Sequence, residues 1–135
     1  MRSSPTEITV DTSALLAVVL GEPERDRVVQ LTAGCGLVAP GSVPWEVGNA
    51  FSAMFKRKRL SREEAREGIS VFLGIPVRYA IPDLDRAVAL ADELKIYAYD
   101  AYVLECAIRF RTPLVTLDRQ VATSAATLGI ACPEV

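Results

Sequence analysis

Short apolar runs alternate with longer helix-forming segments along the whole chain, and this alternation constrains the fold more than any other feature. The runs are short, and turn-forming or helix-capping residues bound them, as expected for strands buried on both faces of a sheet. Helices between successive parallel strands cover the two faces of such a sheet. The pattern therefore predicts an α/β fold with a central, mostly parallel sheet of four to five short strands flanked by helices on both faces. The predicted strands are Glu7–Val10, Leu37–Ala39, Pro76–Tyr79, Leu114–Thr116 and, at one edge, Ile130–Cys132.

The helices are predicted from apolar spacing and from the residues that begin and end them. Ser61 is a typical N-cap, and Glu63 and Glu64 follow it in the first turn, where acidic side chains favour the helix dipole. The chain has 135 residues, of which 50% are apolar, so it can bury its own core, and we expect residues 1–135 to form one domain. The predicted helices are Ala14–Leu20, Pro23 to about Gly34, Ser42 to about Arg59, one beginning at Ser61, Asp83–Leu94, Tyr99–Phe110 and Asp118–Leu128.

The composition excludes several kinds of chemistry. The chain contains no histidine, which rules out Ser-His-Asp and Cys-His catalysis and histidine-ligated zinc. Its three cysteines include no Cys-x-x-Cys pair, so we expect reduced thiols in a cytosolic protein. No apolar run is long enough to span a membrane, and the N-terminus does not resemble a signal peptide. Any catalysis is therefore expected to depend on carboxylates, hydroxyls, Lys and Arg.

Two acidic residues directly follow predicted strands. Asp11 comes immediately after the first strand, and Asp118 follows the Leu114–Thr116 strand after one residue. In open α/β sheets, ligands bind beyond the carboxyl ends of the strands. Both residues also precede helices, so an N-cap is an equally simple interpretation of each.

Two further acids lie on predicted apolar helix faces. Glu46 shares a face with Val43 and Ala50, and Asp100 shares one with Val103. A carboxylate in such surroundings needs a partner, because burying it alone is unfavourable. The alternatives for each are a salt bridge to an arginine, a cap in the case of Asp100, or a bound cation.

Four acids thus differ from the other carboxylates, most of which lie in polar, charge-mixed stretches. If Asp11, Glu46, Asp100 and Asp118 converge, their mutual repulsion calls for cations between them. Ligand sets made only of oxygen select hard divalent ions such as Mg²⁺ or Mn²⁺. One or two such ions can activate a water molecule for phosphodiester hydrolysis.

The same residues resemble the motifs of a known family, the PIN-domain ribonucleases, and more narrowly the VapC-type toxins of toxin–antitoxin pairs. The resemblance spans essentially the whole chain in motif order and spacing. It implies a PIN-like domain in which Asp11, Glu46, Asp100 and Asp118 bind one or two Mg²⁺ or Mn²⁺ ions and water attacks RNA. It also implies that Ser13 and Thr116 orient ligands or water, that an antitoxin inhibits the enzyme, and that the chain forms homodimers. The matching segments are Val10–Leu15, Glu46–Ala50, Tyr99–Ala101 and Thr116–Asp118.

Some interpretations stay open at the level of sequence. The alternative to a nuclease is a non-catalytic PIN-like module that binds RNA or protein. The basic run Lys56–Arg59 either contacts RNA or an acidic partner, or is a solvated helix end. The tyrosines that flank Asp100, and Trp45 beside Glu46, either pack in the core or between subunits, which is the favoured interpretation, or stack on bases.

Overall fold

The computed structural model describes residues 6–135, and its centre is a parallel sheet of four strands. The strand order is β3-β2-β1-β4, and every neighbouring pair is parallel. This confirms the predicted α/β class and the parallel sheet. The strands are β1 (Glu7–Val10), β2 (Gly36–Pro40), β3 (Val77–Ala80) and β4 (Leu114–Val115).

Seven helices in the described part of the chain surround the sheet, and each begins within a few residues of its predicted start. Side chains cap several of them: Ser61 accepts a hydrogen bond from the Glu64 amide at 3.1 Å, and Glu64 Oε1 accepts one from the Ser61 amide at 3.1 Å. The helices are α1 (Thr12–Val19), α2 (Arg25–Thr32), α3 (Val43–Lys56), α4 (Arg62–Gly74), α5 (Leu84–Leu94), α6 (Ala98–Phe110) and α7 (Arg119–Thr127).

Both faces of the sheet are buried, and the alternation of side chains along each strand divides the core in two. Ile8 and Val10 of β1 pack with α1 to α4, whereas Thr9 between them is buried on the opposite face, where it meets Cys106 of α6. Val115 and Leu114 of β4 likewise belong to opposite cores. A two-residue period in which both classes of side chain are buried explains why β2 and β4 are continuous apolar runs, whereas the edge strand β3 carries exposed Arg78 and Tyr79.

The topology places a crevice at the carboxyl edge of the sheet. From β1 the chain adds β2 and then β3 on one side, and it later returns to add β4 on the other side of β1. The helices that follow β1 and β4, namely α1 and α7, pack in the two separate cores on opposite faces of the sheet. In open α/β sheets such a switch point is where a binding crevice forms.

Two features differ from the prediction. The segment Ile130–Cys132 is not a strand. It contributes one backbone bond to the sheet edge, from the Leu114 amide to the Ala131 carbonyl at 2.9 Å. Pro133 follows directly and has no amide to continue a ladder.

The second difference concerns α5, in which Leu84, Ala87, Val88, Ala91 and Leu94 recur at the spacing of one apolar helix face, a pattern that predicts burial of that face. Ala87 is fully buried, but Leu84 and Val88 are exposed. The helix packs mainly on α6, so the small side chain of Ala87 marks its buried side.

No helix among residues 6–135 combines the length and the apolar character that crossing a membrane requires.

Candidate active site at the carboxyl edge of the sheet

Asp11 is the most deeply buried of the four predicted acids, and its carboxylate is held by three hydrogen bonds. It is 8% exposed and caps α1, with Oδ1 accepting the Ala14 amide at 3.0 Å and the Ser13 hydroxyl at 2.7 Å. Its Oδ2 accepts the Thr116 hydroxyl at 2.5 Å. The two predicted supporting residues, Ser13 and Thr116, therefore both contact Asp11 directly.

The same hydroxyls tie the segment after β4 to α1. Ser13 Oγ accepts the Leu117 amide at 2.9 Å and lies 3.3 Å from Thr116 Oγ1. Thr116 Oγ1 also accepts the Asp118 amide at 3.0 Å. The network spans the crevice beside β1 and sets the position of Asp118 relative to Asp11.

Asp118 lies at the rim of this crevice and caps α7. Its Oδ1 accepts the amides of Gln120 at 2.8 Å and Val121 at 3.2 Å. The N-cap interpretation is thus correct for both strand-end acids. It does not compete with a role in a site, because the cap of α7 uses only one of the two carboxylate oxygens of Asp118.

Glu46 enters the site from the first turn of α3, which follows β2. Its Oε2 accepts the Ser42 hydroxyl at 2.7 Å, and its Oε1 accepts the Thr12 hydroxyl at 3.2 Å. The described residues provide no arginine partner for it. Sequence reasoning missed Thr12 and Ser42. The available signals were the position of Ser42 four residues before Glu46 and that of Thr12 beside Asp11.

Asp100 lies in the first turn of α6 and is half-buried. Within residues 6–135 it forms no salt bridge, and no side-chain cap bond begins α6. Neither of the alternatives considered from the sequence therefore applies to Asp100. Its carboxylate remains without a compensating positive charge among the described side chains.

All four acids line one cavity of about 250 Å³. It opens at the carboxyl edge of the sheet, between α1, α3, α6 and the start of α7. Among residues 6–135, no lysine or arginine contributes to its lining. The residues that line it are Asp11, Thr12, Ser13, Leu16, Pro40, Val43, Glu46, Tyr99, Asp100, Val103, Asp118 and Val121.

The acids repel one another across this cavity. Burial raises the pKa of Asp100, and the negative charges of Asp118, Asp11 and Glu46 raise it further. Burial also raises the pKa of Asp11, an effect that its hydrogen bonds from Thr116, Ser13 and Ala14 oppose and that the charge of Asp118 reinforces. Carboxylates that destabilise each other in this way are suited to a site that binds cations.

The donor set fits a hard divalent ion in its chemistry, since every ligand offered is an oxygen and no basic side chain lines the cavity. Among the described residues, no three acidic or cysteine side chains are close enough together to enclose an ion. The carboxylates surround the cavity instead of meeting at one point. Mg²⁺ usually keeps several of its waters, so a partial set of protein ligands suits it.

The aromatic residues near Glu46 and Asp100 were expected to pack in the core or between subunits. Trp45 is 75% exposed, Tyr97 84% and Tyr99 58%, so these three do not pack in the core of the chain, and packing between subunits stays a prediction. Tyr99 also lines the acidic cavity and packs edge-on against Tyr102, with ring centroids 5.8 Å apart. These side chains are therefore available for contacts outside the fold.

The basic run Lys56–Arg59 lies at the end of α3, at the opposite end from Glu46. All four side chains are exposed, and none forms a salt bridge within the described residues. Ten residues of helix separate Lys56 from Glu46, a rise of about 15 Å. The run is accordingly not part of the acidic cavity.

Glu105 is a buried acid that the sequence analysis did not single out. It is 2% exposed and pairs with Arg109, with 3.0 Å between Arg109 Nε and Glu105 Oε2. Its signal in the sequence was a basic residue four positions later in an apolar helix, the spacing of an intrahelical ion pair. Its paired state separates it from the four acids of the cavity.

The parallel sheet, its switch point and the ring of unpaired carboxylates define an α/β protein with an acidic site at the carboxyl edge of its strands. The PIN domain family model matches residues 8–126. The chain belongs to the PIN domain family, as its motifs predicted.

Solved structures share this fold over nearly the whole chain. The crystal structure of PAE2754 from Pyrobaculum aerophilum is 27% identical, with a TM-score of 0.67, over 96% of this chain and 92% of that one. VapC20 of Mycobacterium tuberculosis, a toxin described as cleaving the sarcin–ricin loop, is 16% identical, with a TM-score of 0.62, over 87% and 94%.

A third similar structure is VapBC2 from Rickettsia felis, solved bound to a DNA fragment from its promoter. It is 16% identical, with a TM-score of 0.62, over 94% of this chain and 97% of that chain. A search of curated protein sequences found no match.

Proposed function

We propose that this chain is a metal-dependent endoribonuclease, the toxin of a toxin–antitoxin pair, with Asp11, Glu46, Asp100 and Asp118 as its metal ligands. One observation carries the proposal. Four carboxylates from separate parts of the chain line a single cavity at the switch point of the sheet, without a basic side chain in its lining. Such an arrangement repels itself and becomes favourable when one or two Mg²⁺ or Mn²⁺ ions enter.

When bound, a divalent ion would activate a water molecule and stabilise the oxygen that leaves during phosphodiester hydrolysis. The chain supplies the fixed geometry. Asp11 is immobilised by Ser13, Thr116 and the Ala14 amide, so its carboxylate does not have to reorganise. Ser42 and Thr12 orient Glu46 in the same way.

Asp100 and Asp118 complete the site with oxygens that accept no hydrogen bond from the described residues. Asp118 uses one oxygen for its helix cap, which orients the carboxylate, and the other is available to the cavity. Asp100 has no hydrogen bond that would hold it in place among the described residues, so it can adjust to an incoming ion or phosphate. We assign Asp100 to the variable side of the site and Asp11, Glu46 and Asp118 to its rigid side.

Three observations support the toxin assignment. The chain belongs to the PIN family, a VapC toxin that cleaves the sarcin–ricin loop shares its fold, and so does a VapBC complex. From these we propose an RNA substrate, a cognate antitoxin that blocks the acidic cavity, and a homodimer in the cytoplasm.

The deciding experiment is to map new RNA 5′ ends in cells after brief induction. The chain would be compared with Asp100→Asn and with Asp85→Asn, a matched control in the first turn of the neighbouring helix α5, outside the cavity. We expect new ends at a small number of sites with the unsubstituted chain and with Asp85→Asn, and none with Asp100→Asn.

The same end profile for all three proteins, when each is folded and abundant, would reject the nuclease. It would favour the non-catalytic PIN-like module that binds RNA or protein. Purified protein with a chelator and with added Mn²⁺ then tests metal dependence separately, since only a metal-dependent enzyme regains cleavage when Mn²⁺ is restored.

A further inference from the structure

The three most exposed aromatic side chains in the described part of the chain lie within three residues of a cavity acid along the sequence, and one of them, Tyr99, lines the acidic cavity itself. Trp45 precedes Glu46 in α3, Tyr99 precedes Asp100 in α6, and Tyr97 lies at the N-cap of α6. Aromatic residues elsewhere are less exposed: Phe51 and Phe72 are in the core, and Phe55 and Tyr79 are 39% exposed. Exposing three large rings at one edge of the sheet is unfavourable in water unless they meet another molecule.

The rings are placed as a matched pair at the starts of two helices. Both Trp45 and Tyr99 occupy the position just before a cavity acid in the first turn of a helix. Successive helical residues project about 100° apart, so each ring lies on the flank of the face that carries the acid. Tyr99 also contributes to the cavity wall and is held edge-on by Tyr102.

An aromatic ring beside a site that cleaves phosphodiesters can stack on a nucleotide base of the substrate. Every base offers a π-face, and stacking on an aromatic side chain requires that the base be unstacked from its own helix. Phosphates alone would be repelled by the acidic lining, so contacts that do not depend on charge are needed to hold the substrate.

We infer that Trp45 and Tyr99 are base-stacking residues that hold unpaired nucleotides on the two sides of the acidic cavity. The inference rests on the proposed ribonuclease function and makes it more specific: the RNA must be single-stranded where it meets the cavity. These two rings contact the substrate and do not take part in the hydrolysis itself.

Trp45 is the only tryptophan of the chain, so its fluorescence reports directly on this surface. The binding protein is the Asp100→Asn variant in Mg²⁺, which prevents cleavage during the titration. The probes are a mixed-sequence 12-nucleotide RNA, its fully paired duplex, and an abasic ribose-phosphate strand of equal length. We expect quenching by the single strand and little by the other two.

Substitutions in the same background test the residues themselves, with binding measured by the fluorescence anisotropy of end-labelled strands, because the Trp45 variants lose the intrinsic reporter. Trp45→Leu and Tyr99→Leu should each weaken binding of the single strand by about 5- to 100-fold, the range for loss of one stacked base. Trp45→Phe and Tyr99→Phe should restore most of it, and binding of the abasic strand should not change. Phe55→Leu is the matched control, ten residues further along α3, and should have no effect.

The outcomes separate this inference from the proposed function. If the unsubstituted chain cleaves RNA but the leucine variants bind the single strand as tightly as before, stacking is wrong and the nuclease stands. If Trp45→Leu or Tyr99→Leu instead dissociates a dimer in sedimentation velocity, with equal losses for the single strand and the abasic strand, the rings are subunit contacts and stacking is again wrong. If no probe binds and no RNA is cleaved, both proposals fail.

Discussion

Helix α6 carries two acids, the buried Glu105 and the half-buried Asp100, and their electrostatic surroundings are opposite. Two nitrogens of Arg109 lie 3.0 and 3.1 Å from the Glu105 carboxylate, which also accepts a hydrogen bond from the Asp83 amide at 2.9 Å. Asp100, one and a half turns earlier, is surrounded by the charges of three other carboxylates. Five residues of helix rotate a side chain by about 140°, so the two acids project from different sides of α6.

The difference separates an acid that stabilises the fold from acids that are kept for a ligand. Glu105 joins α6 to the N-cap of α5 by accepting the Asp83 amide, and Arg109 adds a bond to the Ile81 carbonyl at 2.7 Å. Because Arg109 already neutralises the Glu105 carboxylate, this acid is not available to bind a cation. Three carboxylates of the cavity, those of Asp11, Glu46 and Asp118, are oriented by hydroxyls and amides, which hold them without cancelling their charge. The predictions below test whether this division of roles holds.

The largest effect is expected from removing the charge of the rigid acid. Asp11→Asn should lower RNA cleavage by on the order of 100-fold or more, above the 10- to 100-fold typical of groups that only support metal ligands. Glu105→Gln should leave the cleavage rate of the folded protein nearly unchanged. Single-turnover rates at saturating Mn²⁺ measure both. Equal losses for the two variants would abolish the distinction between the two regions.

The next effect concerns folding stability, and it should come from the Glu105–Arg109 pair and not from the cavity acids. Arg109→Met leaves the Glu105 carboxylate buried without its cation. We expect it to lower the free energy of unfolding by about 3 kcal/mol, the low end for breaking a buried ion pair, because Arg109 is itself partly exposed. Glu105→Gln should lower it less, since Arg109 is partly exposed and keeps its bond to Ile81. Urea denaturation of both variants gives the order. A larger loss for Glu105→Gln would mean that Arg109 is the residue that depends on the pair.

A smaller effect is expected from the hydroxyls that orient Asp11. Thr116→Val keeps the shape of the side chain but removes the donor to Asp11 Oδ2 and the acceptor for the Asp118 amide. We expect roughly a 10-fold lower cleavage rate, at the low end for groups that support ligands. Thr112→Val is the matched control, because Thr112 is also buried and hydrogen-bonded, to Thr9 at 2.6 Å, but lies outside the cavity. A matching drop for Thr112→Val would assign the loss to packing.

The smallest expected effect has the opposite sign to most substitutions. In the presence of a chelator, Asp100→Asn should slightly raise the thermal midpoint, because it removes a charge that burial and three neighbouring acids disfavour. Added Mn²⁺ should then stabilise the unsubstituted chain more than the variant, by mass action on the folded state. Differential scanning fluorimetry with Asp85→Asn as control measures both shifts. A midpoint that falls in chelator would show that Asp100 is paired after all.

Local patterns determined a large part of this protein. The alternation of strands and helices predicts the parallel sheet, because segments buried on both faces cannot contain polar residues at a regular spacing. Asp11 and Asp118 could be placed at one edge from the sequence alone, because the carboxyl ends of parallel strands meet there. Both are also helix caps, and that role depends only on neighbouring residues.

What depends on contacts between distant segments could not be obtained in this way. Thr12 and Glu46 meet only because α1 and α3 pack together, and the sequence contains no rule for which hydroxyl reaches which carboxylate. The missing fifth strand and the exposed Leu84 were decided by which surfaces neighbouring elements leave uncovered. Trp45 is a large apolar residue of the kind common in cores, and its exposure depends on where α3 lies on the sheet.

The four cavity acids show which features the sequence determines and which ones only the tertiary structure decides. The sequence shows which carboxylates lack a base one turn away in the same helix, but it leaves open a basic partner from a distant segment. Only the tertiary structure decides that question and whether acids from separate segments share a cavity, since their distances depend on strand order and helix packing. Glu105 shows both kinds of contact: its Arg109 partner lies four residues along the same helix, whereas its amide partner at Asp83 is adjacent only in the fold.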